Sequence, residues 1–378
     1  MTVQKFVTRL VVAGAIVVGG ALQAHAEPMF LSKQYTRCTQ CHYSETGGGL
    51  LTSYGRSLTQ ELSTTGHQAQ GTPTETAQGE EAFLWGALKG VPKGLDFGVE
   101  LRPAHLSYDT AGFSFTRNLW MNADAIGAYQ SHGWTVYGEV GRQATSPGWK
   151  VGSYEHWAGY KSSRGVGIRA GRFLPAYGVG FADHTSLNRS TMSLTQYDQV
   201  YGVEMSVAAD HTLVQASVSP GRATSLIDDD GRQAFTAAGR WQMDLGTNGV
   251  LVASGLYRNA SRLTVRNGSG GVALGFTPAR RVSIWTQADV QHRAGSEDNT
   301  YVLVNETAIE AVRGVWLKVS PQVRSNNKSG APGVRRLALS ADLLPRTHWN
   351  VNINYYRDRN TANAVTSTIF LAQFHLYL

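Results

Sequence analysis

Two thiols and an imidazole fall within five residues of one another in Cys38-Thr39-Gln40-Cys41-His42, and the chain has no other cysteine. Thiols three residues apart reach the two vinyl groups along one edge of a porphyrin. The residue that follows then lies beneath the ring, where its imidazole can ligate iron. The spacing points to one covalent haem c, with Cys38 and Cys41 as thioether anchors and His42 as proximal ligand. Three other chemistries use paired cysteines. A thioredoxin-like redox pair calls for a surrounding βαβ pattern, which the flanking sequence lacks. A zinc site calls for a second pair of ligands, and none follows at ligand spacing. A plain disulfide leaves His42 without a role.

The sixth position on the iron is open to several side chains. Between His42 and the long C-terminal part the only histidine is His67, and the only methionine of residues 27–80 is Met29. Methionine would raise the potential relative to histidine. An inward-facing histidine further on, such as His105, or an unfilled position are the alternatives. Gly47-Gly48-Gly49 permits a tight turn or a close backbone approach to the ring. Leu50, Leu51 and Tyr54 can cover a haem face, and Arg56 can pair bidentately with a propionate. An ordinary turn, core residues and a surface arginine are the plainer readings of the same positions.

The elements that carry this cluster begin with an export signal. Lys5 and Arg9 precede the apolar, small-residue run Leu10–Leu22, and Ala24-His25-Ala26 fits a cleavage site. An uncleaved membrane anchor is the alternative, but the run is short and rich in Gly and Ala. Residues 1–26 are thus expected to be a signal peptide. Residues 27–80 are expected to form the haem segment and its linker. The part from 64 to 80 is rich in Thr, Gln, Gly and Ala. So small a segment covers a haem poorly by itself, and the wall of a barrel lumen would complete the cover.

From about Leu95 the pattern changes to short segments of period two. Trp349, Val351, Ile353 and Tyr355 alternate with three Asn, and Leu95, Phe97, Val99 and Leu101 alternate with Asp96, Glu100 and Arg102. Period two means strand, and a charged second face means a wet interior. No stretch after Ala26 is apolar enough for a spanning helix, and mean hydropathy is only −0.23. The expected fold is all-β: a transmembrane antiparallel β-barrel of about sixteen strands over 94–378. Its connections alternate short and long, as in outer-membrane barrels and unlike a soluble sandwich. Leu174–Leu194 is the longest connection and a candidate constriction, and Asp228-Asp229-Asp230 on another could attract ferrous ions. The last segment, Phe370 to Leu378, keeps Phe370, Phe374, Leu376 and Leu378 on one face. Formal net charge is +7, and +5 once residues 1–26, with Lys5 and Arg9 and no acid, are removed. The basic residues are scattered, which argues against nucleic acid and suits anionic lipid headgroups.

An exported C-x-x-C-H head, a glycine-rich step, Tyr54-Gly55-Arg56 and then a barrel resemble the fused cytochrome–porin proteins of the outer membrane. The outer-membrane iron-oxidising cytochromes are the best known of these. The resemblance in architecture spans nearly the whole mature chain, and that in sequence about 20 residues. Gly47–Gly49 departs from the step expected in the iron-oxidising members. The resemblance implies electron transfer across the outer membrane. One partner would be a periplasmic c-type cytochrome or another electron carrier, and the other extracellular Fe(II) or a mineral. If it is an enzyme at all, it is at most an Fe(II):cytochrome oxidoreductase. The alternatives are a passive porin with a haem-bearing plug or sensor, and a peroxidase-like haem enzyme.

Overall fold

The computed structural model describes residues 28–65, 84, 87, 91–143, 150–181, 183, 185–195, 198–220, 235–260, 265–295, 297–327 and 332–378. The expected signal peptide, His67, His184, Asp228–Asp230 and most of the expected linker lie outside the described residues.

Seventeen strand segments form a single antiparallel sheet. Two of them, Lys150–Gly152 and His156–Lys161, pair with the same neighbour and are one interrupted strand, β4. Sixteen strands result. The others are β1 (Leu95–Thr110), β2 (Phe113–Ser131), β3 (Trp134–Gln143), β5 (Val166–Phe173), β6 (Val200–Ala208), β7 (Thr212–Pro220) and β8 (Phe235–Asp244). They continue as β9 (Gly249–Ala260), β10 (Val265–Ala279), β11 (Val282–Arg293), β12 (Asn299–Val312), β13 (Val315–Asn326), β14 (Val334–Arg346), β15 (Trp349–Asn360) and β16 (Thr366–Tyr377). Each strand pairs with its neighbours in sequence, and β1 pairs with β16 from Glu100 opposite Tyr377 to Thr110 opposite Ser367. The sheet therefore closes into a barrel with no free edge. At the seam, Val99 and Leu378 exchange backbone hydrogen bonds of 3.0 and 2.9 Å.

Burial along the strands is the inverse of a water-soluble protein. Val140, Ile168, Met205, Leu317, Leu339 and Phe370 are exposed on the outside, while Glu204, Gln215, Gln242 and Gln287 are fully buried inside. The period-two alternation thus sends apolar side chains out and polar ones in, which is stable only where the outside is not water. Aromatic side chains ring both ends of the band. Trp134 packs on Tyr160, and Trp349 on Phe374, at one end. Tyr108, Phe113 and Phe115 cluster at the other.

The connections at the first of these ends have two to four residues. At the other end they are mostly longer, and the longest runs from 174 to 199. This long connection folds inward, as expected. It buries Phe181, Leu187 and Met192, and carries the short helix α2 (Leu187–Thr191). Its backbone is held by the facing wall. Gly178 N donates to Ser254 Oγ, Val179 N to Gln287 Oε1 and Leu187 N to Gln322 Oε1, at 2.8 to 2.9 Å. Arg336 donates to the Thr185 carbonyl at 2.7 Å while its other nitrogens bridge Asp358. A backbone segment inside a barrel must satisfy its amides there, and polar strand side chains supply the partners.

The N-terminal residues 28–65 lie inside the barrel at the short-turn end. They comprise a 3-10 turn (Pro28–Lys33), a second one (Cys38–Gln40) and the helix α1 (Ser53–Leu62). The wall grips them on several sides. Lys33 pairs with Glu310, and Arg37 donates to the Asp210 carbonyl at 2.9 Å. Glu45 accepts from Ser206 Oγ at 3.1 Å and Gln215 Nε2 at 2.9 Å. Thr64 and Thr65 both donate to the Pro345 carbonyl. Leu31 joins the apolar cluster of the inward loop, with Tyr177, Val179, Phe181 and Trp285.

Candidate haem site in the barrel lumen

The cysteine segment forms one helical turn. Cys41 N and His42 N both donate to the Cys38 carbonyl, at 3.1 and 2.9 Å. This turn sets both thiols and the following imidazole on one side, the disposition a ring bonded through two thioethers requires. Cys38 and Cys41 are not joined in a disulfide, although they are close in sequence. The chain then folds back on itself. His42 bridges Leu51, Tyr43 N donates to the Leu50 carbonyl at 3.1 Å, and Thr52 N to the Cys41 carbonyl at 2.8 Å.

Helix α1 fixes the turn from behind. Thr52 caps it, its Oγ1 accepting from Gly55 N at 3.1 Å, and lies 3.2 Å from the Gln40 carbonyl. A Cβ at Gly55 would stand 2.2 Å from the Cys41 carbonyl oxygen, so only glycine lets the helix lie against the turn. Leu58 and Leu62 of the same helix pack with Leu344 of the wall. Gly47, Gly48 and Gly49 have φ of +81°, +78° and +59°, which bends the backbone over His42.

Cys38, Cys41 and His42 all face one cavity in the lumen, of roughly 470 Å³. Phe30, Leu51, Leu58 and Leu62 give it an apolar side. The inward loop, from Leu174 to Phe181, lies across from them. A Cβ at Gly180 of that loop would come 3.3 Å from the Thr46 carbonyl, so leader and loop abut. The His42 Nδ1 is buried without a hydrogen-bond partner. Burial lowers the His42 pKa from its ordinary value and favours the neutral imidazole that metals bind. Thiols on one edge, an orphaned imidazole nitrogen and an apolar wall together fit a covalent porphyrin. Among the described residues, no group of three or more His, Cys, Asp or Glu is arranged to hold a metal ion directly.

Several sequence-based assignments change at this point. Arg56 does not line the cavity; it is buried against the wall, where it donates to the Phe97 carbonyl at 2.7 Å. Tyr54 turns away as well, its hydroxyl meeting that of Tyr35 at 3.3 Å. Both follow from the helix: the face that carries Gly55 and Leu58 points to the cavity, and neighbouring positions rotate off it. Leu51 lines the cavity, whereas Leu50 joins the wall with Tyr43 and Tyr137. His105 is exposed and bonds Asn118 Oδ1 at 2.8 Å, so it does not face inward. Met29 does line the cavity, but packs beside Trp316 and Ala308 on another sector of wall.

Two cavity-lining residues went unnoticed in the sequence. Arg240 reaches in from β8, its guanidinium held by Gln215 Oε1 at 3.1 Å and Gln242 Oε1 at 2.7 Å, with its Nε unpartnered. His375 reaches in from β16 beside Gln373 and Tyr377. Both lie on the inward face of an alternating strand, and that alternation was the available signal.

No family model and no curated protein sequence matches the chain. Solved structures do. A loop-deleted form of OmpT, an outer membrane protein of Vibrio cholerae, superposes with a TM-score of 0.57 at 12% identity, covering 75% of this chain and 99% of that one. An anion-selective porin from Comamonas acidovorans gives 0.55 at 11% identity, with 75% and 99% covered. The outer membrane channel DcaP of Acinetobacter baumannii gives 0.53 at 10% identity, with 75% and 97% covered. The barrel is thus of the porin fold.

Proposed function

We propose that this chain is a monohaem c-type cytochrome built into an outer-membrane barrel, passing single electrons between the outside and a periplasmic carrier. The observation that carries the reading is the helical turn of Cys38, Cys41 and His42 facing a cavity inside a barrel of porin fold. The apolar exterior of the strands and the porin-fold neighbours support placement in an outer membrane. Bound haem would supply a one-electron Fe(III)/Fe(II) couple.

The chain's own residues would do the rest. Cys38 and Cys41 would hold the ring covalently, and His42 would bind the iron from one side. Leu51, Leu58 and Phe30 would exclude water from the apolar ring. Arg240, half-buried on the cavity wall with its Nε unpartnered, would be the cation for a propionate in place of Arg56. The lipid-facing band of such a barrel is about 25 Å tall, so a redox centre in the lumen shortens the insulating gap. The donor or acceptor outside, Fe(II) or a mineral surface, would approach through the long-loop mouth. The carrier, a c-type cytochrome or its equivalent, would meet the short-turn end where the leader sits.

The plain channel reading rests on the fold of porins and of DcaP. Against it, both the leader and the inward loop occupy the lumen. The test is the protein expressed with a cytochrome c maturation system and purified from outer membranes. The expected result is a haem-staining band that disappears in Cys38→Ala/Cys41→Ala. Its Fe(III) spectrum should convert to the reduced form when Fe(II) is added. A colourless protein, or free solute flux through liposomes with no redox response, would overturn the proposal.

A further inference from the structure

The sixth ligand to the iron can be sought among residues that share the cavity with His42. Among the described residues, two histidines line it, His42 and His375, and one methionine, Met29. His42 lies against the β1–β16 seam, since Tyr43 beside it donates to Asp96 of β1 and Leu50, next to its bridge partner Leu51, packs at Gly98, and His375 meets Glu100 of β1 across the same seam. Met29 belongs to a different sector, with its carbonyl taken by Ser283 of β11 and its side chain against Trp316 of β13. His375 also has the surroundings of a ligand. Its Nε2 is 3.3 Å from Glu100 Oε1, and Glu100 is itself held by Arg102 at 2.5 Å. The His375 Nε2 is buried and makes no hydrogen bond of good geometry, and a carboxylate beside an imidazole raises its basicity towards a metal. The Tyr377 ring, 5.1 Å away on the same strand, limits rotation further.

We propose that His375, on the last strand of the barrel, is the second axial ligand of the haem held by Cys38, Cys41 and His42. This rests on the cytochrome reading above. It adds that the iron is coordinated by the leader on one face and by the barrel wall on the other. Glu100 is a positioning residue for His375. The ligand pair would then be two imidazoles, which gives a lower potential than a histidine–methionine pair.

The test is spectroscopic and uses the full-length, haem-loaded protein in detergent. Wild type should show low-spin haem that does not bind carbon monoxide when reduced. His375→Ala should keep its covalent haem, become high-spin and bind carbon monoxide, and return to low spin when imidazole is added. His375→Met should stay low-spin with a raised midpoint potential. Met29→Leu should leave the spectrum as it was. Should His375→Ala fold poorly, Glu100→Gln, which keeps the side-chain shape, should still shift the potential. An unchanged low-spin spectrum in His375→Ala, or wild-type haem that already binds carbon monoxide, would overturn the assignment while leaving the cytochrome reading intact. A wild-type protein without haem would remove both.

Discussion

At the scale of single residues, the cysteine motif stands out because spacing survives in a linear chain, and the fold sets its three side chains on one cavity. Partners were not legible. Arg56 reads as a propionate cation when only its type is known. In the fold, a helix turned by one position spends it on the Phe97 carbonyl. Arg56→Met should therefore loosen the leader, at a cost of about 1–3 kcal/mol for the hydrogen bond lost at a buried site. The haem potential should stay where it was, whereas Arg240→Gln should move it. Protease sensitivity of residues 28–65 and a redox titration separate the two. Gly55→Ala is the sharper test. Its Cβ would strike the Cys41 carbonyl, so the turn must shift. Covalent haem per barrel should fall at least roughly fivefold, the effect of about 1 kcal/mol, as measured by haem stain against total protein.

At the scale of elements, all sixteen strands were legible, since alternation of apolar and polar residues persists wherever one face meets lipid and the other water. Their order and the alternation of short and long connections followed from the same pattern. Helix α1 was not anticipated, although Thr52 as its cap and Leu58 and Leu62 four residues apart were the available signals, because ten residues carry too few turns to stand out. His375 was missed for a related reason. In the sequence the apolar residues of the last strand mark its lipid face, and nothing singles out Gln373, His375 and Tyr377 on the other. The inward loop carries its own prediction. Its amides are held by Ser254, Gln287 and Gln322 across the lumen. Deleting 176–192 should leave the barrel folded and raise single-channel conductance in planar bilayers. No change in conductance would mean that the leader alone blocks the pore.

At the scale of the whole molecule, stability depends on an outer surface that water does not wet. Leu339 lies near the middle of β14 and is exposed on that surface. Leu339→Arg should destabilise the folded barrel by about 2–4 kcal/mol, the cost of a cation at the bilayer midplane. It should show as a lower transition temperature of the barrel reconstituted in lipid. Gln215→Ala should act differently. It removes a lumen bond to Glu45 and one to Arg240, and so should free the leader without lowering that temperature.

The seam between β1 and β16 has a consequence for biogenesis. Gly98 on β1 has no room for a side chain because the Leu378 carbonyl lies on one side of it and Leu50 of the leader on another. Glu100 and His375 face each other across the same join. The last strand to be synthesised is therefore zipped to the first over a floor that residues 28–65 provide. A last strand that reached the first before residues 28–65 were seated would meet Gly98 without the Leu50 side chain behind it.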